Sequence, residues 1–227
     1  MHPLLHNPVY EALLSGDARL GTRRGNVAFF DADVSPFVGF PEGHETGFEE
    51  LRRYLPAGRK VLYARTEPIP LPAGWRLGAY LEGRQFVFEG VAAEPDPRIT
   101  LVPLRAEHVP EMIALTALTR PGPFDRRTIA FGHYYGVFED GRLASMAGQR
   151  LHPTGYSEIS AVCTHPDFLG RGYAAALLQL QLVLMRDAGT TPFLHVRADN
   201  DRAIALYERL GFRASRPMHF YFMEREV

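Results

Sequence analysis

The chain has 227 residues, 46% of them hydrophobic and 22% charged, and a formal net charge of −1. That balance suits a folded globular protein and excludes bulk attraction to nucleic acid or to an anionic membrane surface. The start, MHPLLHNPVYEALLSGD, has no basic opening or long apolar run, so no secretory leader is expected, and no stretch reaches the ~18 apolar residues of a membrane span.

Residues 1–95 read as a small α+β unit. Residues 3–14 predict a short helix, and residues 26–30 and 60–64 predict strands. Phe48, Leu51 and Tyr54 give residues 45–54 helical spacing. Residues 66–75 carry three prolines and predict a loop, and residues 85–89 predict another strand. No chemical motif marks this half. A degenerate copy of the second half, a lid and a dimer surface all stay open. Residues 93–98 hold two X-Pro pairs, which favour extended backbone and predict a linker between domains 1–95 and 96–227.

In the second half, residues 99–104 predict a strand. Val109, Met112, Ile113, Leu115 and Leu118 give residues 107–119 the apolar face of a helix. The loop over residues 119–124, TRPGPF, is stiffened by Pro121 and Pro123. Residues 134–138 and 143–150 flank Asp140-Gly141 and predict a hairpin. Residues 158–164 mix β-branched and small apolar side chains, as a buried strand does, and Pro166 ends them. Gly170 and Gly172 then precede a helical stripe of Ala174, Ala175, Leu177, Leu178, Leu182 and Met185. Residues 193–197 predict a strand. Asp199 and Asn200 cap a helix over 201–210, which Gly211 ends. Residues 218–223 form the last predicted strand. Its Phe220, Tyr221 and Phe222 leave two readings, a strand paired across a homodimer or one inside the monomer.

The stretch from 158 to 178 is where chemistry enters. A helix N-terminus with unpaired N–H groups and a positive dipole end favours an anion, and glycine lets backbone approach it. Gly170, Gly172 and Ala175 also fit the dinucleotide pattern G-x-G-x-x-A, but residues 164–168 separate them from the strand, which argues against it. No Lys-Ser or Lys-Thr follows, so it is not a P-loop. A tight strand-to-helix connection with no ligand is the bland alternative.

Residues 195–212, HVRADNDRAIALYERLGF, supply a second feature: Asn200, Ala203 and Tyr207 share one helix face. With this, the chain resembles the GNAT superfamily of acyl-CoA-dependent N-acyltransferases. Leu169-Gly170-Arg171-Gly172-Tyr173-Ala174 matches the pyrophosphate loop R/Q-x-x-G-x-G/A, departing at Leu169. Residues 200–212 match N-x-x-A-x-x-L-Y-E-x-x-G-F throughout. The stretch CTHPDFLGRGYA is most similar to glycine N-acyltransferase-like proteins. The resemblance implies an α/β (α+β) GNAT fold, a mixed, mostly antiparallel central sheet flanked by helices.

The resemblance also implies a site. Acetyl-CoA is the expected co-substrate, with its pyrophosphate on Leu169, Gly170, Arg171, Gly172, Tyr173 and Ala174. Its pantetheine arm runs along Val162, Cys163 and Thr164, and Asn200, Ala203 and Tyr207 complete the binding set. A backbone N–H near Val162 is the expected oxyanion donor. Tyr207 is the expected general acid and Glu158 the expected base, with a pKa raised by desolvation in an apolar strand. His165 and His133 are alternative bases. Cys163 alternates away from Val162 and Thr164 and behaves as a small hydrophobe, so direct transfer in a ternary complex is expected rather than an acyl-cysteine. As the lone cysteine it excludes an internal disulfide and suits a reducing, cytoplasmic compartment. No metal-ligand spacing occurs. The implied activity is transfer of an acetyl or short acyl group to a small-molecule or peptide amine. The alternative is a non-catalytic acyl-CoA-binding domain. Phe124, His133, Tyr134, Tyr135 and residues 218–223 are candidates for an apolar acceptor wall.

Overall fold

The computed structural model describes residues 2–227. In the first half a 3-10 turn, Pro3–His6, leads into α1 (Pro8–Leu14). There follow β1 (Gly21–Arg24), β2 (Val27–Phe30), β3 (Phe37–Gly39), α2 (Gly47–Tyr54), β4 (Lys60–Arg65) and β5 (Trp75–Phe88). The second half opens with β6 (Val102–Pro103), α3 (Val109–Thr119), β7 (Tyr135–Glu139), β8 (Arg142–Gln149) and β9 (Tyr156–Thr164). It closes with α4 (Tyr173–Asp187), β10 (Thr191–Arg197), α5 (Asp201–Arg209) and β11 (Phe212–Arg225). Residues 91–98 carry neither helix nor strand.

Local chemistry sets several boundaries. Pro8 has no N–H to give, so the helix expected over 3–14 breaks into a 3-10 turn and α1, with proline in the first turn of each. Asp140 and Gly141, at φ 49° and 74°, make the two-residue turn that joins β7 to β8. β6 is far shorter than the strand expected over 99–104, because Pro103 cannot donate to a ladder and sits at the sheet's edge.

All the described strands form one sheet, in the order β1-β2-β3-β4-β11-β5-β10-β9-β8-β7-β6. Only β3–β4 and β9–β10 pair in parallel. Helices α1, α3, α4 and α5 pack against it. The order reads alike from its two sides. β1 to β4 are followed by β11, and β7 to β10 are followed by β5. Each half therefore ends in a strand that lies beside the other half's penultimate strand. β5 and β11 pair antiparallel from Phe212↔Phe88 to Arg225↔Trp75. The core is shared in the same way, with Leu5, Phe30 and Phe37 in one cluster with Met112, Met146, Phe193 and Met218.

Two expectations change here. β5 is 14 residues long, not the short strand over 85–89. Its first part, Arg76 to Tyr80, is exposed on both faces, so no alternation marks it, and pairing with β11 is what extends it. The last strand is also longer than expected, and both its edges are taken, by β4 and β5. Phe220, Tyr221 and Phe222 thus lie inside the monomer, and over these residues the strand has no edge left to pair across a dimer.

Candidate active site

β9 and β10 pair only at their base, Thr191↔Tyr156, Pro192↔Ser157 and Phe193↔Glu158. Beyond that point β10 stays with β5 and β9 with β8, so the two strands part. A cavity of about 560 Å³ opens between them, lined by both strands, the first turn of α4 and one face of α5. On β9, Ser160 faces Gly148 and Cys163 faces Met146, so Ala161 and Val162 together oppose Ala147. This is a bulge, with Ala161 at φ 54°, and a bulge leaves its extra residue out of the ladder.

The glycine turn stands at one wall. Gly170 and Gly172 adopt φ 80° and 83°, a region that costs other residues energy, and Gly172 is the N-cap of α4. The first turn closes with the Ala176 N–H donating to the Gly172 carbonyl at 3.0 Å. The N–H groups of Tyr173, Ala174 and Ala175 precede that ladder, and all three residues line the cavity. Tyr173 contributes backbone only, since its hydroxyl donates to Glu139. Leu169 is half-exposed and offers no polar side chain, while the Arg171 guanidinium lies 5.1 Å over the Phe168 ring.

Charge in the cavity is one-sided. Arg120, Arg150, Arg171, Arg197, Arg202 and Arg209 line it, and no aspartate or glutamate does. Arg197 is paired with Asp199 and Arg150 with Glu158. Such a surface favours a polyanion.

On α5, the Asn200 side-chain oxygen accepts from the Ala203 N–H at 3.2 Å and caps the helix. Asn200, Ala203 and Tyr207 all line the cavity. Burial pushes the Tyr207 phenol up to about 12, so it stays protonated at neutral pH.

Glu158 differs from expectation. It is fully buried. Arg150 clamps it with two bonds, Nε to Oε2 at 2.8 Å and Nη2 to Oε1 at 2.6 Å, and His195 Nδ1 donates to Oε1 at 2.8 Å. Burial alone would raise its pKa. The Arg150 charge, then His195, outweigh burial and hold it down at about 2. The expected upward shift is therefore reversed, and the carboxylate is committed to its two partners. His195 is fixed from its other side by Gln85 of β5, whose Nε2 donates to His195 Nε2 at 3.1 Å and to the Leu5 carbonyl at 2.9 Å. The first half of the chain thus builds the back of the site.

Cys163 is buried under α3 and burial pushes its thiol up to about 12, so no thiolate is present at neutral pH. His165 is held by Arg142 and by the Asp167 N–H, and His133 lends its carbonyl to Gln181. Neither lines the cavity, nor do Phe124, Tyr134, Tyr135 or residues 218–223. Phe124 and Tyr134 pack edge to face in the core instead. The cavity's wall on that side is Thr119, Arg120, Pro121, Arg150 and His195. No sequence signal marks Arg150, one residue past the end of β8, or His195, which sits in a strand that reads as apolar. No cluster of three or more metal-ligating side chains occurs among the described residues. None of their helices is long and apolar enough to cross a membrane.

Comparison with known proteins bears on the family and the fold. Residues 134–221 match the family described as FR47-like protein. A crystal structure described as an acetyltransferase from the GNAT family of Novosphingobium aromaticivorans is 36% identical, with a TM-score of 0.91 and full coverage of both chains. N-alpha-acetyltransferase RimI of Mycobacterium tuberculosis is 36% identical over 98 residues, 41% of this chain and 60% of that protein. Mycothiol acetyltransferase of Nocardiopsis dassonvillei is 33% identical over 91 residues, 36% of this chain and 27% of that protein. The chain therefore spans less than two thirds of either curated relative.

Proposed function

Because the chain belongs to the GNAT family of acetyltransferases, we propose that it moves an acetyl group from acetyl-CoA to a primary amine by direct attack in a ternary complex. The observation that carries this reading is the parting of β9 and β10 between the free N–H groups of α4 and the Tyr207 hydroxyl.

In this reading the amides of residues 170–174, with Arg171, Arg202 and Arg209, which make no ion pair among the described residues, hold the phosphates. The edge of β9 at Val162, Cys163 and Thr164 aligns the pantetheine arm as a neighbouring strand would. The bulge at Ala161 and Val162 frees a backbone N–H for the negative charge that develops on the carbonyl oxygen. Tyr207 gives its proton to the leaving sulfur. Asn200 and Ala203 shape the wall beside it. Glu158, held at low pKa, orients Arg150 and His195, and the amine loses its proton to water in the cavity. Cys163 stays a neutral thiol and takes no acyl group.

Three finer features belong to the same reading. The stretch from Cys163 to Ala174 supports a kinship with the glycine N-acyltransferase-like branch. The two halves, 1–95 and 96–227, are copies of one fold whose last strands are exchanged. The compartment is the cytoplasm, which suits a single unpaired thiol.

Titration calorimetry with acetyl-CoA, CoA and NADH tests the reading, followed by assays of thiol release with a panel of amines. Binding of both CoA species, none of NADH, and amine-dependent thiol release are the expected results. Failure to bind acetyl-CoA would overturn it.

A further inference from the structure

The acceptor end of the cavity holds a guanidinium with a spare face. Arg150 uses Nε and one N–H of Nη2 on Glu158. Among the described residues nothing accepts from its Nη1. An arginine has five N–H donors in a fixed fork, so a second edge, Nη1 with Nη2, is left open. The side chain is 11% exposed, and what it exposes lines the cavity. Phe37 of β3 supports the guanidinium from behind, 4.9 Å from its ring centre. The loop over residues 119–124 lies across it, and a Cβ on Gly122 would stand 3.9 Å from Nη1.

That same loop carries a second cation into the cavity. Arg120 caps α3 in the left-handed region, at φ 51°, ψ 53°, where glycine or asparagine is usual. A non-glycine residue held there has a reason to be something else. Arg120 lines the cavity, is exposed, and makes no ion pair among the described residues. Glu158 is buried and spent on Arg150 and His195, and no carboxylate lines the space. An acceptor with a second ammonium would find nothing to pair with. An acceptor with a carboxylate would find a planar fork and a free cation.

We propose that the acceptor is a primary amine that carries a carboxylate, seated on the open edge of Arg150 and on Arg120, with its amine turned toward the thioester. This rests on the acetyltransferase reading above and adds the acceptor's chemical class. Arg150 and Arg120 are specificity-determining residues, and Glu158 positions Arg150.

The test is thiol release at saturating acetyl-CoA with tyrosine, tyrosinamide, tyramine and spermidine. Tyrosine and tyramine differ only in the carboxylate, and tyrosinamide replaces it by a neutral group. The expected kcat/KM ratio of tyrosine over each of the others is about tenfold or more, the ratio that ~1.4 kcal/mol gives. Arg120→Glu, an exposed change that leaves the fold intact, should collapse that ratio and leave the KM for acetyl-CoA unchanged. Arg150→Lys should also lower it, since an ammonium cannot offer the fork. Tyramine or spermidine turning over as fast as tyrosine would overturn the proposal. So would no turnover of tyrosine at all, or an equal loss for all amines in Arg120→Glu. Calorimetry keeps the two readings apart. No acetyl-CoA binding sinks the acetyltransferase reading, whereas binding without carboxylate preference sinks only this one.

Discussion

Glu158, on the last rung where β9 and β10 still pair, meets His195 at 2.8 Å. With Arg150 on its other side, the carboxylate is charged in the folded chain with a pKa of about 2, below its usual 4.5. A depressed carboxylate pKa stabilises the fold fully above the unfolded value and loses that contribution as pH falls through the folded one. Urea midpoints should therefore fall between about pH 4.5 and pH 2, and Glu158→Gln should flatten that slope. The variant leaves Arg150 buried without its partner, a cost of about 3–5 kcal/mol. The acidic limb of kcat/KM should survive in it, because that limb belongs to the acceptor amine. Its disappearance would return the base role to Glu158.

Tyr207→Phe isolates the acid. The hydroxyl makes no hydrogen bond among the described residues, so stability should change little. At neutral pH kcat should drop about 10²-fold while acetyl-CoA binds as before. Because burial lifts the phenol to about 12, the parent enzyme should show no alkaline limb from this group until well above pH 10. Equal losses in binding and rate would mark Tyr207 as a packing residue.

Cys163 should be chemically silent. Its thiol is buried, with a pKa pushed up to about 12, so iodoacetamide at about pH 8 should label it only after unfolding. Cys163→Ala should keep most of the activity. Trapping of an acetyl group on the native protein would contradict direct transfer.

Asp17 is fully buried and takes both the backbone N–H and the Nδ1 of His152, each at 2.8 Å. It is one of the polar ties between the halves. Asp17→Ala should destabilise the whole chain by about 3 kcal/mol, read from the urea midpoint, with a single unfolding transition. Two separated transitions would show that the halves unfold independently.

Where the sequence was legible, local chemistry was the reason. Gly170 and Gly172 ahead of an apolar helical stripe, Asn200 at a cap, and Asp140-Gly141 between two apolar runs each name a backbone geometry. They are legible because no distant partner is needed to impose it. Arg150, His195 and Gln85 were not legible, since each acquires its role only from side chains on other strands. Glu158 shows the same limit in its sign. Burial could be inferred from the strand, but the arginine that reverses its effect lies eight positions away across a chain reversal. The first half of β5 is silent in the sequence because exposed residues carry no pattern until β11 is laid beside them.

The exchange of β5 and β11 bears on how the chain is made. A ribosome releases residues from the N-terminus onward, yet β5 finds its longest partner only in β11, after β6 to β10 have been made. Until β10 emerges the first half carries a 14-residue strand whose edges are both unfilled, and until β11 follows one of them stays open. Such an edge is a template for pairing with a neighbouring nascent chain. The exposed polar residues Arg76 and Glu82 on that strand, of which Arg76 pairs with Glu224 in the finished sheet, then have an earlier use during biosynthesis: they keep the strand in solution until β11 arrives.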